Sequence, residues 1–156
     1  FEKFVSAILE YSGYKTEVGK IMPGICVTHE IDVFAKKNGK VTIMECKFHN
    51  EEGRNCNVKV PLYIHSRYQD VKKHWETNKE NTKEMDKGWV VTNTRFTKDA
   101  RKYGKCVDLY LLCWDFPQGN GIRERIDRLG LYPITVSTML TYREKQFLLS
   151  RDEKKR

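Results

Sequence analysis

An Asn38-Gly39 pair constrains this chain more than any other feature, because it lies between two segments that read as β-strands. Both central residues of a two-residue hairpin turn need positive φ, and Asn-Gly is the strongest sequence signal for such a turn. With these two as the turn residues, Asp32 falls opposite Glu45. Opposed side chains share one face of a hairpin, with Cβ atoms roughly 4.5–5.5 Å apart. The turn therefore predicts two carboxylates that repel each other unless a proton or a cation lies between them.

The same register accounts for the hydrophobic residues of the hairpin. The face opposite the carboxylates is uniformly apolar, as expected of a surface turned to a core, and comprises Ile31, Val33, Ala35, Met44 and Cys46. A slip of one residue would exchange the two faces. A divalent cation held between the carboxylates is one interpretation of this pattern. The other is a solvated strand face that carries acids and a lysine.

Composition limits the class of protein. The chain has 156 residues, enough for one domain with a core and short for two. It carries 29 Lys and Arg against 21 Asp and Glu, a net charge of +8. Such a balance favours a polyanionic partner, nucleic acid above all, over a merely basic soluble protein. No apolar run reaches the roughly 20 residues of a membrane span, so we expect no membrane partner.

The cysteines and the first residue indicate the setting of the chain. Five cysteines without a CxxC pair predict reduced thiols in the cytoplasm rather than disulfides or a zinc site; they are Cys26, Cys46, Cys56, Cys106 and Cys113. Because the chain opens on Phe1 rather than Met, we expect it to be part of a longer protein, to which an upstream domain could be fused.

The rest of the chain alternates helical and strand-like patterns. Helices are predicted over 2–11, 60–78, 97–103, 123–129 and 135–149, and strands outside the hairpin over 14–21, 88–92 and 107–114. The last helix is expected to turn four apolar residues inward, namely Val136, Met139, Leu140 and Phe147. Alternation of this kind predicts crossover connections and a mixed sheet with helices on its faces, an α/β fold.

This order of elements, with Asp32 on one strand and Glu45-Cys46-Lys47 on the next, resembles the PD-(D/E)XK nuclease superfamily. The stretch from Gly88 to Tyr103, a strand followed by a helix with a Thr-x-x-Ala pattern, is similar to the Mrr-type restriction endonuclease branch. Ile31 stands where the proline of the superfamily name would be, and that proline is often absent.

The resemblance implies a restriction-endonuclease-like, three-layer α/β/α fold with a mixed central sheet. It covers residues 1–116, which would form the nuclease core. Residues 117–156 are then expected to be a C-terminal helical extension of the same domain.

Carried over position by position, the resemblance implies Asp32, Glu45 and Lys47 as the catalytic residues. The two carboxylates would bind the metal, Mg²⁺ or Mn²⁺, and Lys47 would position or activate the attacking water. The backbone carbonyl of Cys46 would complete the coordination, which needs no particular side chain.

Two further acids are candidate metal ligands. Some relatives use an acidic residue of the first helix, and Glu10 is the candidate here. Glu30 falls opposite Lys47 in the predicted register, so it could bind metal or simply pair with that lysine.

DNA-contacting residues are expected on the helix after the motif, where relatives place supporting or phosphate-binding groups. The candidates there are Arg67, Gln69, Lys72 and Lys73. For Arg67 and Gln69 a solvated helix face is the alternative. Other cations that could contact the DNA backbone are Arg54, Arg95, Lys98 and Arg101.

The activity implied is that of a Mg²⁺-dependent deoxyribonuclease, an endonuclease of restriction type acting on DNA. A double-strand cut calls for two active sites and so favours a homodimer. The alternatives are a basic DNA-binding module of the same fold without turnover, and an interaction domain that binds no nucleic acid. Intact Asp32, Glu45 and Lys47 favour the enzyme over the module.

Overall fold

The computed structural model describes residues 1–51, 53–132 and 141–153. Its elements follow the order α1 (Glu2–Tyr11), β1 (Lys15–Pro23), β2 (Thr28–Lys37), β3 (Lys40–Lys47), α2 (Lys59–Thr77), β4 (Glu84–Thr92), α3 (Lys98–Cys106), β5 (Tyr110–Leu112), α4 (Ile122–Leu129) and α5 (Tyr142–Glu153).

The five strands form one mixed sheet in the order β1-β2-β3-β4-β5. The first three strands are antiparallel neighbours, whereas β4 and β5 run parallel to β3. Parallel neighbours need a crossover connection, and α2 and α3 provide the two that this sheet requires. The carboxyl ends of β3, β4 and β5 therefore lie at one edge of the sheet.

The hairpin has the register that its turn predicts. Asn38 and Gly39 have φ values of 50° and 77°, the left-handed region that suits a two-residue turn. The ladder runs from the Lys37/Lys40 pair to the Val33/Met44 pair without a shift. This register sends alternate residues of β2 and β3 to opposite faces of the sheet.

Two hydrophobic clusters cover the two faces and produce three layers. One cluster joins α2 and α3 to the sheet, and includes Val41, Ile64, Val71, Val90 and Ala100. The other joins α1 and α4 to the opposite face, and includes Val5, Ile8, Val33, Val91 and Ile126. The predicted α/β/α architecture is thereby confirmed.

One residue of the predicted apolar face belongs elsewhere. Val33, Ala35 and Met44 pack against α1 as expected, with Cys46 partly buried beside them. Ile31 is fully buried, but it packs in the cluster on the α2 side. Strict alternation along β2 therefore fails close to Asp32.

The second half departs from the prediction at β5 and at Phe147. Strand β5 is shorter than 107–114, because Val107 ends α3 and Cys113 pairs with Phe116 in a turn. Residues 133–140, with Val136, Met139 and Leu140, lie outside the described part of the chain. The prediction that Phe147 turns inward is wrong, since this side chain is 59% exposed on α5. None of the described helices is long and apolar enough to cross a membrane.

Candidate active site

The carboxyl-terminal end of β3 faces α2 across a cavity of about 380 Å³. Strand β3 contributes Glu45, Cys46 and Lys47, and α2 contributes residues of its first three turns, including Tyr63 and Arg67. Because successive strand residues point to opposite faces, Glu45 and Lys47 share the side that faces α2. The predicted carboxylate and lysine thus line one cavity.

Asp32 reaches the same strand from β2. Its Oδ2 accepts a hydrogen bond of 2.7 Å from the Cys46 N–H, so a side chain satisfies this amide of β3. Glu45 is only 7% exposed. Burial, followed by the negative charge of Asp32, raises the pKa of Glu45 to about 8, against the opposing effect of Arg67. The two carboxylates are therefore close enough to interact strongly, as the hairpin register predicts.

Arg67 supplies the positive charge nearest to Glu45. Its Nη1 lies 2.7 Å from Oε2 of Glu45, and its side chain is only 16% exposed. The guanidinium also donates to the carbonyl oxygen of Glu30 at 2.5 Å and to Nδ1 of His29 at 3.4 Å. The alternative of a solvated helix face is wrong for Arg67, which belongs to the site.

His29 and Asp70 extend this network. Because Nδ1 of His29 accepts from Arg67, its Nε2 carries the hydrogen and donates to Oδ2 of Asp70 at 2.8 Å. Asp70 also accepts the N–H groups of Cys26 and Val27. These bonds, led by that from His29, hold the pKa of Asp70 well below its usual range. Sequence reasoning missed this pair, although Asp70 lies three residues after Arg67 on one helix face.

The donor set fits a hard divalent cation. Oε1 of Glu45 is buried and has no hydrogen-bond partner among the described residues. This oxygen, the Asp32 carboxylate and the Cys46 carbonyl are oxygen donors of the kind that Mg²⁺ prefers. Mg²⁺ is commonly held by one or two carboxylates while it keeps several waters, so a large protein cage is not required.

The predicted third carboxylate does not join this pair. Across the described ranges, no three His, Cys, Asp or Glu side chains come together to hold a metal. Glu10 accepts a hydrogen bond of 2.6 Å from Thr16 on β1. The carboxylate of Glu30 lies over Gly19, also on β1, and forms no ion pair with Lys47. Both side chains are directed to β1, so the structure does not bring Glu10 or Glu30 to the cavity, and their role as metal ligands stays a prediction.

Glu2 is the acid of α1 whose charge acts on Cys46, the neighbour of Glu45 in β3. After burial and Asp32, the charge of Glu2 makes the next contribution to the raised pKa of the Cys46 thiol. Glu2 lies in the first turn of α1 and Glu10 near its end. The sequence offers both acids, and only the direction in which α1 crosses the sheet selects Glu2.

Lys47 is exposed at the mouth of the cavity. It forms no ion pair with any carboxylate in the described part of the chain. Its ammonium group is therefore directed to solvent, and it can contact a phosphate bound at the same cavity.

The other DNA-binding candidates of α2 lie away from the carboxylates. Gln69 and Lys72 line a separate recess with Glu84 and Lys87, at the start of β4. Because β3 and β4 are parallel, the start of β4 lies at the edge of the sheet opposite Glu45. Lys73 is exposed on the same helix. The structure thus brings Arg67 into the site and leaves Gln69, Lys72 and Lys73 outside it.

Comparisons with known proteins agree with the fold. The Mrr_cat family model, described as a restriction endonuclease, matches residues 1–115. An uncharacterised protein of Archaeoglobus fulgidus is 37% identical over 132 residues, which make up 85% of this chain and 70% of that protein.

Solved structures extend the comparison. The crystal structure of AF1548, a protein of unknown function, is 35% identical with a TM-score of 0.77, over 90% of this chain and 71% of that one. Can2 from Sulfobacillus thermosulfidooxidans, solved with cyclic tetra-adenylate, has a TM-score of 0.53 at 19% identity, over 84% of this chain and 37% of that one. The likeness to Can2 concerns the fold alone.

Proposed function

This chain belongs to the Mrr-type restriction endonuclease branch of the PD-(D/E)XK superfamily, and from that membership we propose that it is a metal-dependent endonuclease that hydrolyses DNA phosphodiester bonds. The observation that supports the proposal best is the approach of two carboxylates at the end of β3. The Asp32 carboxylate accepts a hydrogen bond from the N–H of Cys46. The pKa of the buried Glu45 is raised to about 8 by burial and by the charge of Asp32. Two carboxylates held in this way favour a cation between them.

Asp32 and Glu45, with the Cys46 carbonyl, would hold Mg²⁺ or Mn²⁺. When bound, such an ion supplies a Lewis acid that neutralises charge on the phosphate and lowers the pKa of water. Arg67 engages Oε2 of Glu45 and leaves its Oε1 for the ion. The protein thereby keeps one oxygen of Glu45 fixed and the other available.

Lys47 would act on the phosphate beside this ion. By strand rise, the backbones of Glu45 and Lys47 are roughly 6.6 Å apart, close enough for both side chains to address one phosphate. An ammonium group there can hold the attacking water or stabilise the negative charge that develops in the transition state. Because Lys47 forms no ion pair among the described residues, it need not break a contact to do so.

The proposal extends to the biological role, the oligomeric state and the location of the chain. A restriction-type role follows from the family, and a homodimer from the two active sites that a double-strand cut requires. All five cysteines are free, in keeping with a cytoplasmic location. A DNA-binding module without turnover is the competing function, and the convergence of Asp32 and Glu45 argues against it.

Cleavage of supercoiled plasmid by the full chain tests the activity. With Mg²⁺ or Mn²⁺ we expect nicked and linear products, and none with EDTA. Asp32→Asn, Glu45→Gln and Lys47→Ala should each abolish the products, because each removes a ligand or the cation beside the phosphate. Lys40→Ala, at the other end of the same strand, is the control and should cut like wild type.

Each outcome decides between the candidate functions. Cleavage that persists in all three variants indicates a contaminating nuclease and contradicts the assigned residues. DNA binding by a wild-type protein that cuts with neither metal favours the module without turnover.

A further inference from the structure

A second cavity, of about 430 Å³, opens at the same edge of the sheet as the carboxylates. It lies between the segments that leave β3, β4 and β5, whose carboxyl ends meet at this edge because the three strands are parallel. Phe48, which follows Lys47 directly, lines its near side, together with His49, Arg54, Asn93, Arg95 and Trp114.

On the basis of the proposed endonuclease function, we propose that this cavity binds a single nucleobase that has left the DNA stack beside the cleaved phosphate. Its volume lies within the range of about 300–1,000 Å³ that is usual for small-molecule sites. An unstacked base offers two flat apolar faces, a polar edge and a flanking phosphate. The lining provides a group for each of these.

Aromatic rings are available for the flat faces. The Phe48 and Trp114 side chains are 52% and 40% exposed, large fractions for residues that could pack in a core. The backbone of Trp114 is held beside the cavity, because its main-chain N–H donates to the Thr94 carbonyl at 3.3 Å. Exposed aromatic side chains at nucleic-acid sites stack on unpaired bases of any sequence.

His49 offers a polar atom for the base edge. The Asn93 side chain holds its backbone in two hydrogen bonds of 2.8 Å, accepting from the His49 N–H and donating to the His49 carbonyl. Asn93 directly follows Thr92, which pairs with Lys47 in the sheet, so the contact fixes His49 two residues beyond Lys47. Nε2 of His49 is buried without a hydrogen-bond partner in the described ranges. A buried polar atom of this kind costs free energy, and rotation of the His49 ring toward the cavity would let a bound base edge recover it.

Two guanidinium groups flank the cavity and suit the phosphate. Arg54 pairs with Glu51 at 3.2 Å, and Arg95 pairs with Asp115 at 2.5 Å. Both arginine side chains are exposed. Ion pairs on the surface contribute little to stability, so these cations can exchange a carboxylate for a DNA phosphate.

The exposed rings, His49 and the two arginines together limit the kind of DNA substrate more narrowly than the two carboxylates do. A base inside a duplex is stacked and cannot enter a cavity at the protein surface without extrusion. The preferred substrate is therefore DNA with an unpaired or readily extruded nucleotide next to the cleavage position.

Fluorescence anisotropy in EDTA tests the cavity independently of cleavage. The full chain is titrated into four labelled probes of equal length: a single strand, a paired duplex, a duplex with one unpaired nucleotide, and that duplex with an abasic site in place of the unpaired nucleotide. We expect the single strand and the unpaired nucleotide to bind about fivefold or more tightly than the paired duplex, and the abasic site to remove this gain.

Variants assign the preference to the cavity. Trp114→Ala and His49→Ala should weaken binding of the unpaired nucleotide about fivefold or more, and binding of the paired duplex less than about twofold. His49→Ala retains both bonds from Asn93, because these are made to the backbone. Tyr11→Ala removes an exposed aromatic ring at the end of α1 and serves as the control with wild-type affinities.

The outcomes separate this proposal from the endonuclease. Equal affinity for the four probes, or a uniform loss in both variants, overturns the base-binding cavity even if the protein cuts plasmid. Preference for the unpaired nucleotide, lost in the two variants, supports the cavity even if the protein cuts no DNA. The relative affinities of the single strand and the unpaired nucleotide then tell whether the base comes from open DNA or from an extruded position.

Discussion

Arg67 contacts three groups in the site: the carboxylate of Glu45, the carbonyl oxygen of Glu30 and Nδ1 of His29. A buried carboxylate without a partner is costly, so a fixed guanidinium stabilises the site before any cation binds. The same contact orients Glu45, because it fixes one oxygen and leaves the other free. Arg67 is thus expected to support the fold as well as the reaction.

Replacement of Arg67 tests its role in the fold. Arg67→Ala leaves Glu45 without its ion-pair partner, and we expect the free energy of unfolding of the metal-free protein to fall by about 1–3 kcal/mol. Urea unfolding followed by circular dichroism measures this loss. Lys73→Ala removes an exposed cation of the same helix and is the matched control. Equal stability of the two variants would contradict a structural role for the contact with Glu45.

The residues of the site differ in whether the sequence alone predicts them. Asp32, Glu45 and Lys47 are identified because a turn and a strand period of two place them by local rules. His29 and Asp70 are missed, since their contacts depend on how α2 crosses the sheet. No spacing along the chain encodes a contact between residues that are 41 positions apart, as His29 and Asp70 are.

At the scale of elements, Asp70 joins α2 to the connection between β1 and β2. Its carboxylate accepts hydrogen bonds from the Cys26 and Val27 amides and from His29. All three bonds favour the ionised acid, and together they depress the pKa of Asp70. One charged side chain therefore holds two segments that are distant in sequence.

This connection should be sensitive to acid. A carboxyl group whose pKa is lower in the folded state stabilises the fold above its unfolded pKa of about 4, and the stabilisation is lost as the pH falls through the folded value. We expect Asp70→Asn to lose stability less steeply than wild type between about pH 5 and pH 3. Urea midpoints across this range measure the slopes. Identical slopes would show that the carboxylate does not hold the connection.

Elements with strong local signals are predicted well. The sequence places α1 over 2–11, as the structure has it, and α2 within one residue at each end. Strand β4 begins four residues earlier than predicted, at Glu84, because it pairs with the start of β3. Ladder partners of this kind are tertiary, so they extend or shorten a strand beyond its own hydrophobic pattern.

At the scale of the whole molecule, the family likeness covers residues 1–115, whereas α4 lies beyond it. Ile122 and Ile126 of α4 nevertheless pack with Val5 and Ile8 of α1 in the second hydrophobic cluster. We propose on this ground that the segment after residue 116 extends the nuclease domain through α4, as expected of 117–156, instead of beginning a separate unit. The packing of α4 completes the layer that α1 begins.

Truncation of one side chain tests this proposal. Ile126→Ala should lower the free energy of unfolding by about 2–5 kcal/mol, the usual cost of a cavity in a core. A single cooperative transition, shifted as a whole, is expected in urea. Arg123→Ala changes an exposed residue of the same helix and is the control. An unshifted transition in Ile126→Ala would show that α4 is not part of the core.

Isothermal titration calorimetry of Mn²⁺ at neutral pH measures whether Asp32 and Glu45 share one divalent cation. We expect wild type to bind Mn²⁺, and Asp32→Asn and Glu45→Gln each to bind about tenfold or more weakly, because each variant loses a charged ligand. Lys47→Ala should bind with wild-type affinity, since the lysine is not a ligand. Mn²⁺ binding unchanged in both carboxylate variants, or absent from wild type, would mean that Asp32 and Glu45 do not hold a cation together.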